Sequence, residues 1–266
     1  VVDITERKRT EDKLKWHIRR NELLSQTAAR LLQSDDPQAL VEDLCREVMD
    51  FLDCQTFFNF LEVPEMGRLR LNACAGIPEE EAKAIEWLDY GVAVCGCVAQ
   101  KRRRMICEDI MATDEPLTEL VKSYGIQAYC CHPLMIQDRL MGTLSFGTRS
   151  RPRFDPEEIE LMASITHLLA VAMHRIETEK ELRDSESRFR LFAELAPVGI
   201  VISDENENSL YASHKFTELF GYTFEDMPSV KEWWPLAYPD EAMRKRVQRE
   251  WQAAVDEARR SHTETK

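Results

Sequence analysis

Apolar residues recur at helical spacing through Ile159, Met162, Ile165, Leu169, Ala172, Met173 and Ile176, then more sparsely at Leu182, Phe189 and Phe192. Pro156 opens this run, where a missing N–H is no loss, and Glu157 and Glu158 follow at the positive end of a helix dipole. Neither Gly nor Pro interrupts it before Leu195. The pattern predicts one helix over 156–195, with a weak point at Asp184–Ser187. Forty residues at about 1.5 Å each span roughly 60 Å, more than one small domain needs. Its second half is therefore expected to leave the domain on which the first half packs, and Ile165 and Leu169 are expected to carry a dimer contact.

The rest of the chain changes period several times. Leu14, Ile18, Leu24, Ala28, Leu31 and Leu32 draw a thin apolar stripe over 5–33, which suits a coiled-coil lead-in. Ser34-Asp35-Asp36-Pro37 breaks it, and Leu40, Val41, Leu44, Val48 and Leu52 mark a second helix. Apolar and β-branched runs at 57–63 and 69–75, parted by Pro64–Gly67, read as a hairpin. A helix over 79–88, the Gly-punctuated stretch 91–100 with no assigned element, a strand over 105–109 and a helix over 116–124 come next. Strands over 127–136 and 140–148 join at Gln137-Asp138-Arg139. This order predicts an α+β fold, an antiparallel sheet with helices on its faces and long connecting coiled-coil helices. Beyond Ser185 a strand over 198–204, a turn at 205–208, a strand over 209–212 and a short helix over 215–220 closed by Gly221 form a second module, followed by helical sequence over 240–260.

Charge narrows the partners. The chain has 31% charged residues and a net charge of −13, which repels phosphate backbones, so no nucleic-acid partner is expected. The basic clusters Arg7–Arg9, Lys101–Arg104 and Arg244–Arg246 read as solvated faces. No run of about 18 apolar residues and no signal peptide are evident, so no membrane span is expected and the location expected is cytoplasmic. The eight cysteines lie in a charged, helical chain rather than a small loop-rich one, and reduced thiols are expected.

From about Asn21 to Arg175 the chain resembles a GAF domain. The carriers are Gly91 with Gly96, Glu108-Asp109-Ile110, the run Tyr124–Tyr129 into His132-Pro133-Leu134, and Leu140–Phe146 with its GTLSFG sequence. LAPVGIVISDENE, FTELFGYTFEDM and YPDE resemble the first half of a PAS domain, with Ser213 where Asn is frequent. Val2–Lys8 resembles the tail of another PAS domain. The resemblance implies the end of a PAS domain and a linker helix over 1–20, a GAF domain over 21–176, a connector over 177–195 and a partial PAS domain over 196–266, three strands short. It also implies a segment of a sensor histidine kinase or related signalling protein: a homodimer through its helices, with an unknown small-molecule ligand and a downstream kinase or other output domain.

The chemistry is less legible. A kinase needs a phosphoacceptor His and glycine-rich nucleotide loops; His174 lacks the adjacent acid, and nine glycines supply no such loop, so this segment is not itself expected to be an enzyme. The candidates for cofactor binding are Cys95, Cys97, Cys131 and His132. Their spacing does not fit structural zinc. Thiolate and imidazole both ligate iron, which keeps haem open as a cofactor. Thiol redox sensing is a further option, with Lys101–Arg104 activating Cys97, and simple core packing of small apolar thiols is another. Cys131-His132 within a strand does not suit bilin attachment, and a flavin-reactive cysteine is missing after Cys131. Trp233 and Trp234 could line a small apolar pocket. The alternatives to a sensor are a GAF-fold thiol oxidoreductase of the methionine sulfoxide reductase type, using Cys95, Cys97 or Cys107, and a ligand-free dimerisation spacer.

Overall fold

Phe57, Phe58, Asn59 and Phe60 are consecutive and all buried, a pattern expected of a strand covered on both faces. The computed structural model, which describes residues 4–204 and 206–263, places them at the centre of a six-stranded antiparallel sheet. The chain divides into two compact units, residues 1–180 and 181–266.

In the first unit α1 (Ile4–Gln33) and α2 (Val41–Leu52) precede the hairpin β1 (Thr56–Val63) and β2 (Arg68–Ala75). Then come α3 (Glu79–Ala84), β3 (Trp87–Asp89), α4 (Ala93–Lys101), β4 (Met105–Cys107), a 3-10 turn at Pro116–Thr118 and α5 (Glu119–Ser123). The hairpin β5 (Ala128–Ile136) and β6 (Arg139–Thr148) leads into α6 (Pro156–Leu195). The sheet order is β3-β2-β1-β6-β5-β4. Register follows the apolar pattern, with Phe57 opposite Phe146 and Cys131 opposite Ser145. The resemblance to a preceding PAS strand falls partly on residues 1–3, outside the described residues; α1 begins at Ile4.

Helices cover both sheet faces, so there are two cores. One joins α1, α2 and α6 to the sheet through Leu31, Val48, Phe57, Leu144, Phe146, Met162 and Ile165. The other joins α4 and α5 to the opposite face through Phe58, Phe60, Val98, Val121, Ile126 and Tyr129. Alternation along β5 sends neighbours to different cores: Cys130 belongs to the first and Cys131 to the second.

Several expectations change. Residues 87–89 end not a helix but a third strand on the β2 edge, where Arg68 and Arg70 lie over the Trp87 ring at 5.7 and 5.6 Å. The Gly-punctuated stretch becomes α4, because only Gly96 lets a helix approach the turn before it. The helix α6 runs unbroken through Asp184–Ser187. Ile165 and Leu169 are core residues, 2% and 3% exposed, and face the sheet rather than a second copy. Outward-facing large apolar residues on α6 are instead Val171, Leu182, Phe189, Leu191, Phe192 and Leu195. By length and composition an 18-residue window of this helix passes for a membrane span, with mean hydropathy 1.2; half of it is buried in the structure, as in a core helix.

The second unit pairs β7 (Val201–Ser203) with β8 (Ser209–Ala212), followed by α7 (His214–Phe220), α8 (Val230–Ala237) and α9 (Glu241–Thr263). Ser213 explains its own place before α7. Its hydroxyl accepts from the amide of Phe216 at 3.3 Å, capping the helix, and from that of Ile200 at 3.0 Å. Trp233 and Trp234 do line a cavity, of about 190 Å³, together with Phe216, Met227 and Trp251.

Candidate functional site

The thiols of the second core are held between α4 and the sheet. Gly91, in the left-handed region at φ 81°, turns the chain from β3 into α4, and its amide donates to the carbonyl of Gly96 at 2.9 Å. A side chain on Gly96 would put its first carbon 2.3 Å from the Asp89 carbonyl oxygen, so the motif pair Gly91 and Gly96 is what seats this helix. Cys95, one residue before Gly96, consequently points into the core against the strand residues below it.

There Cys95 and Cys131 come together. The Cys131 thiol donates to the Cys95 sulfur at 3.7 Å, and Cys95 Sγ lies 3.2 Å from the Tyr129 hydroxyl and 3.6 Å from that of Ser145. Tyr129 donates to Ser145 Oγ at 2.6 Å, and Ser145 donates to the Phe58 carbonyl at 3.1 Å. Burial alone raises a thiol pKa because the thiolate loses its hydration. It pushes Cys45, Cys54, Cys74, Cys107, Cys130 and Cys131 up, Cys54 and Cys130 to about 12. Cys95 goes the other way, down to about 7, because hydrogen bonds from Cys131, then from Tyr129 and Ser145, favour its thiolate by more than burial disfavours it. Tyr129 itself is held well above its ordinary range by burial and by Cys95 and Cys131.

The other two candidates are elsewhere. Cys97 donates to the Gly91 carbonyl at 3.2 Å. Two of the four basic residues expected to activate it are engaged elsewhere: Arg102 donates to the Asp138 carbonyl at 2.8 Å, and Arg104 pairs with Glu160 at 2.9 Å. His132 projects into the first core, its Nδ1 3.6 Å from Cys130 Sγ and its buried Nε2 unpartnered. Burial, then the Arg104 guanidinium, lowers its pKa to about 4, so the ring is neutral. Cys131 and His132 therefore occupy opposite faces of one strand and cannot ligate one ion.

Nor is there room for a large cofactor beside the thiols. The cavity touching Cys95, lined also by Phe58, Leu88, Leu120 and Tyr129, measures about 20 Å³, enough for one water-sized molecule. Haem does not fit this set of residues. A groove of about 440 Å³ on the α6 side of the sheet is lined by Asp36, Glu62, Arg139, Met173 and Lys180. Sequence reasoning missed Tyr129 and Ser145, although the period of two along both strands places them on the face of Cys131 and Thr143.

The GAF domain model matches residues 34–174, more than half of the chain. The chain belongs to the GAF domain family. A PAS domain model matches residues 187–255, so the GAF domain is followed by a PAS domain, the pairing of sensory signalling proteins, and such modules are generally non-catalytic. The methyl sulfide methyltransferase-associated sensor of Methanosarcina acetivorans is 23% identical over 237 residues, covering 87% of this chain and 23% of that protein. The sensor histidine kinase TmoS of Ectopseudomonas mendocina is 27% identical over 116 residues, 43% of this chain and 12% of that protein. The chain thus spans less than a quarter of either relative. Among solved structures, the GAF domain of the Coxiella burnetii phosphoenolpyruvate-protein phosphotransferase superposes with a TM-score of 0.53 at 16% identity, covering 61% of this chain and 96% of that one. A free methionine-R-sulfoxide reductase from Neisseria meningitidis gives 0.52 at 16% identity over 60% and 91%. At these identities the likeness is one of fold.

Proposed function

We propose that this chain is the sensory and relay segment of a larger cytoplasmic signalling protein, with an event in the GAF core passed along dimeric helices to an output domain of kinase type. One observation carries the reading. On a single unbroken helix, α6, Leu161, Met162, Ile165 and Leu169 are built into the GAF core, while Leu182, Phe189 and Phe192 beyond it are exposed. Leu182 and Phe189 are one heptad apart and Phe192 follows three residues on, the a and d spacing of a two-stranded coiled coil. Val171, eleven residues before Leu182, is a d position of the same seam, and Leu14 and Ile18 leave a second exposed apolar stripe on α1. A change in how the core grips α6 would shift the population between two packings of that seam.

The size of the cavity constrains the event: the core accommodates a very small molecule or a rearrangement of its own groups, not a bulky ligand. This also weighs against a reductase reading, which needs a pocket for an amino-acid substrate. Light scattering on the 266-residue chain tests the proposal. The chain should be a dimer, and Leu182→Lys with Phe189→Lys should yield a monomer whose GAF unfolding transition is unchanged. A monomeric wild type, or a dimeric double variant, would overturn it.

A further inference from the structure

The groups of the second core's polar cluster form one donor-to-acceptor chain: Cys131 donates to Cys95, Tyr129 to Ser145, and Ser145 to the Phe58 carbonyl, and because the Tyr129 hydrogen is given to Ser145, Cys95 is the donor in its 3.2 Å contact with the Tyr129 oxygen. Such a chain is satisfied with both cysteines as thiols, and a buried network in which every donor is matched holds its members in fixed geometry. It stays satisfied when Cys95 loses its proton. The thiolate then accepts from Cys131 on one side, and on the other from Tyr129, whose hydroxyl turns from Ser145 to the sulfur. An isolated buried thiol has no such compensation, and the two sulfurs at 3.7 Å are already in van der Waals contact.

We propose that Cys95 and Cys131 are a peroxide-sensitive dithiol that closes to an intramolecular disulfide between α4 and β5. The Cys95 thiolate attacks one oxygen of hydrogen peroxide; the O–O bond breaks, hydroxide leaves and takes up a proton, and Cys95 becomes a sulfenic acid. The Cys131 sulfur then attacks the Cys95 sulfur. The S–S bond forms as the S–O bond breaks, and the departing hydroxide takes the Cys131 proton to leave as water. The sum is two thiols and one peroxide giving one disulfide and two waters, the two electrons moving from the sulfurs to the peroxide oxygens. The thiolate supply comes from the lowered pKa of Cys95, and selection of the oxidant from the 20 Å³ cavity at its side, which excludes reagents much larger than water. Closing the pair to a bond of about 2.05 Å draws the sulfurs together by roughly 1.7 Å, by turning the two side chains, by moving α4 against the sheet, or by both.

The idea rests on the GAF domain being the sensing half of the chain, and the two can fail separately. The full chain is reduced, freed of reductant and treated with one equivalent of hydrogen peroxide, and its thiols are counted after unfolding in the presence of an alkylating trap. Two of the eight thiols should be lost, and digestion with trypsin should yield residues 84–101 joined to residues 123–139. Because these peptides also contain Cys97 and Cys130, the linkage must persist in Cys97→Ser and in Cys130→Ser and vanish in Cys95→Ser and Cys131→Ser. Circular dichroism and Cys95→Ala guard against a variant that merely misfolds. Eight thiols remaining, or a linkage that survives Cys95→Ser, overturns the proposal. A disulfide that forms without altering hydrogen exchange along α6 sustains the proposal and instead removes its connection to the relay.

Discussion

Replacing Gly96 by alanine sets two effects against each other. In a helix interior the exchange ordinarily stabilises by about 1 kcal/mol through backbone entropy. Here the new methyl would stand 2.3 Å from the Asp89 carbonyl oxygen and 3.3 Å from the Gly91 amide nitrogen, where ordinary contact begins at 3.4 Å. Asp89 cannot retreat easily, since β3 pairs it with Arg68, and separating the turn from α4 by about 1 Å stretches the Gly91–Gly96 hydrogen bond. Overpacking of this kind costs about 1–3 kcal/mol and the strained bond about 1 more. The net expectation is destabilisation of about 1–3 kcal/mol, or a fall in Tm of roughly 3–10 °C for a unit of this size. Because Cys95 is adjacent, its contacts with Tyr129 and Cys131 should loosen too, slowing disulfide closure at least tenfold. Calorimetry and thiol counting read both. A Tm equal to or above that of the wild type would show that α4 does not sit against this turn as described.

Other consequences are independent. Ile165→Asp should unfold the GAF domain, costing on the order of 3–5 kcal/mol in chemical denaturation, rather than separate two folded subunits. The rate of peroxide oxidation should rise about tenfold per pH unit below about pH 7 and level off above, following the Cys95 thiolate; a flat profile from pH 5 to 8 would contradict its environment. His132 has its folded pKa lowered from 6.5 to about 4 by burial and Arg104, partly opposed by Glu160, while Cys130 packs on its Nδ1. The unfolded chain therefore binds the extra proton first, and stability present above pH 6.5 is lost as pH falls toward 4, by about 3 kcal/mol at most. His132→Phe should flatten that part of the stability profile. Ser213→Ala should lower the stability of the second unit by about 1 kcal/mol through loss of the α7 cap.

Long-period signals were easy to read in the sequence because nothing competes with them: the stripe of α6 and the alternation of β5 and β6 locate themselves. Short elements were not. The three residues of β3 are too few to show a period and exist only because Arg68 and Arg70 offer an edge and a cation pair to Trp87. Residues 93–101 contain Val, Gly and Cys, all weak helix formers, and fold as α4 because tertiary contact overrides propensity. Outward and inward faces of α6 were also confused, since Ile165 and Leu182 look alike until one is seen to meet a sheet. For the site, treating Cys131-His132 as a unit ignored that adjacent strand residues face apart. Pairing Cys131 with Cys95, 36 positions away, needs the third dimension.

The sheet between the two cores is a party wall one residue thick. Cys131 is on one side of it and Cys130 on the other, joined by a single peptide bond, and Cys130 shares its core with Met162 and Ile165 of α6. In the proposed relay a shift on the thiol side would bear on the α6 side as well, because the same backbone atoms floor both cores. News of a disturbance among the thiols would thus reach the long helix by leaning on the plaster, with no loop, lid or hinge to carry it.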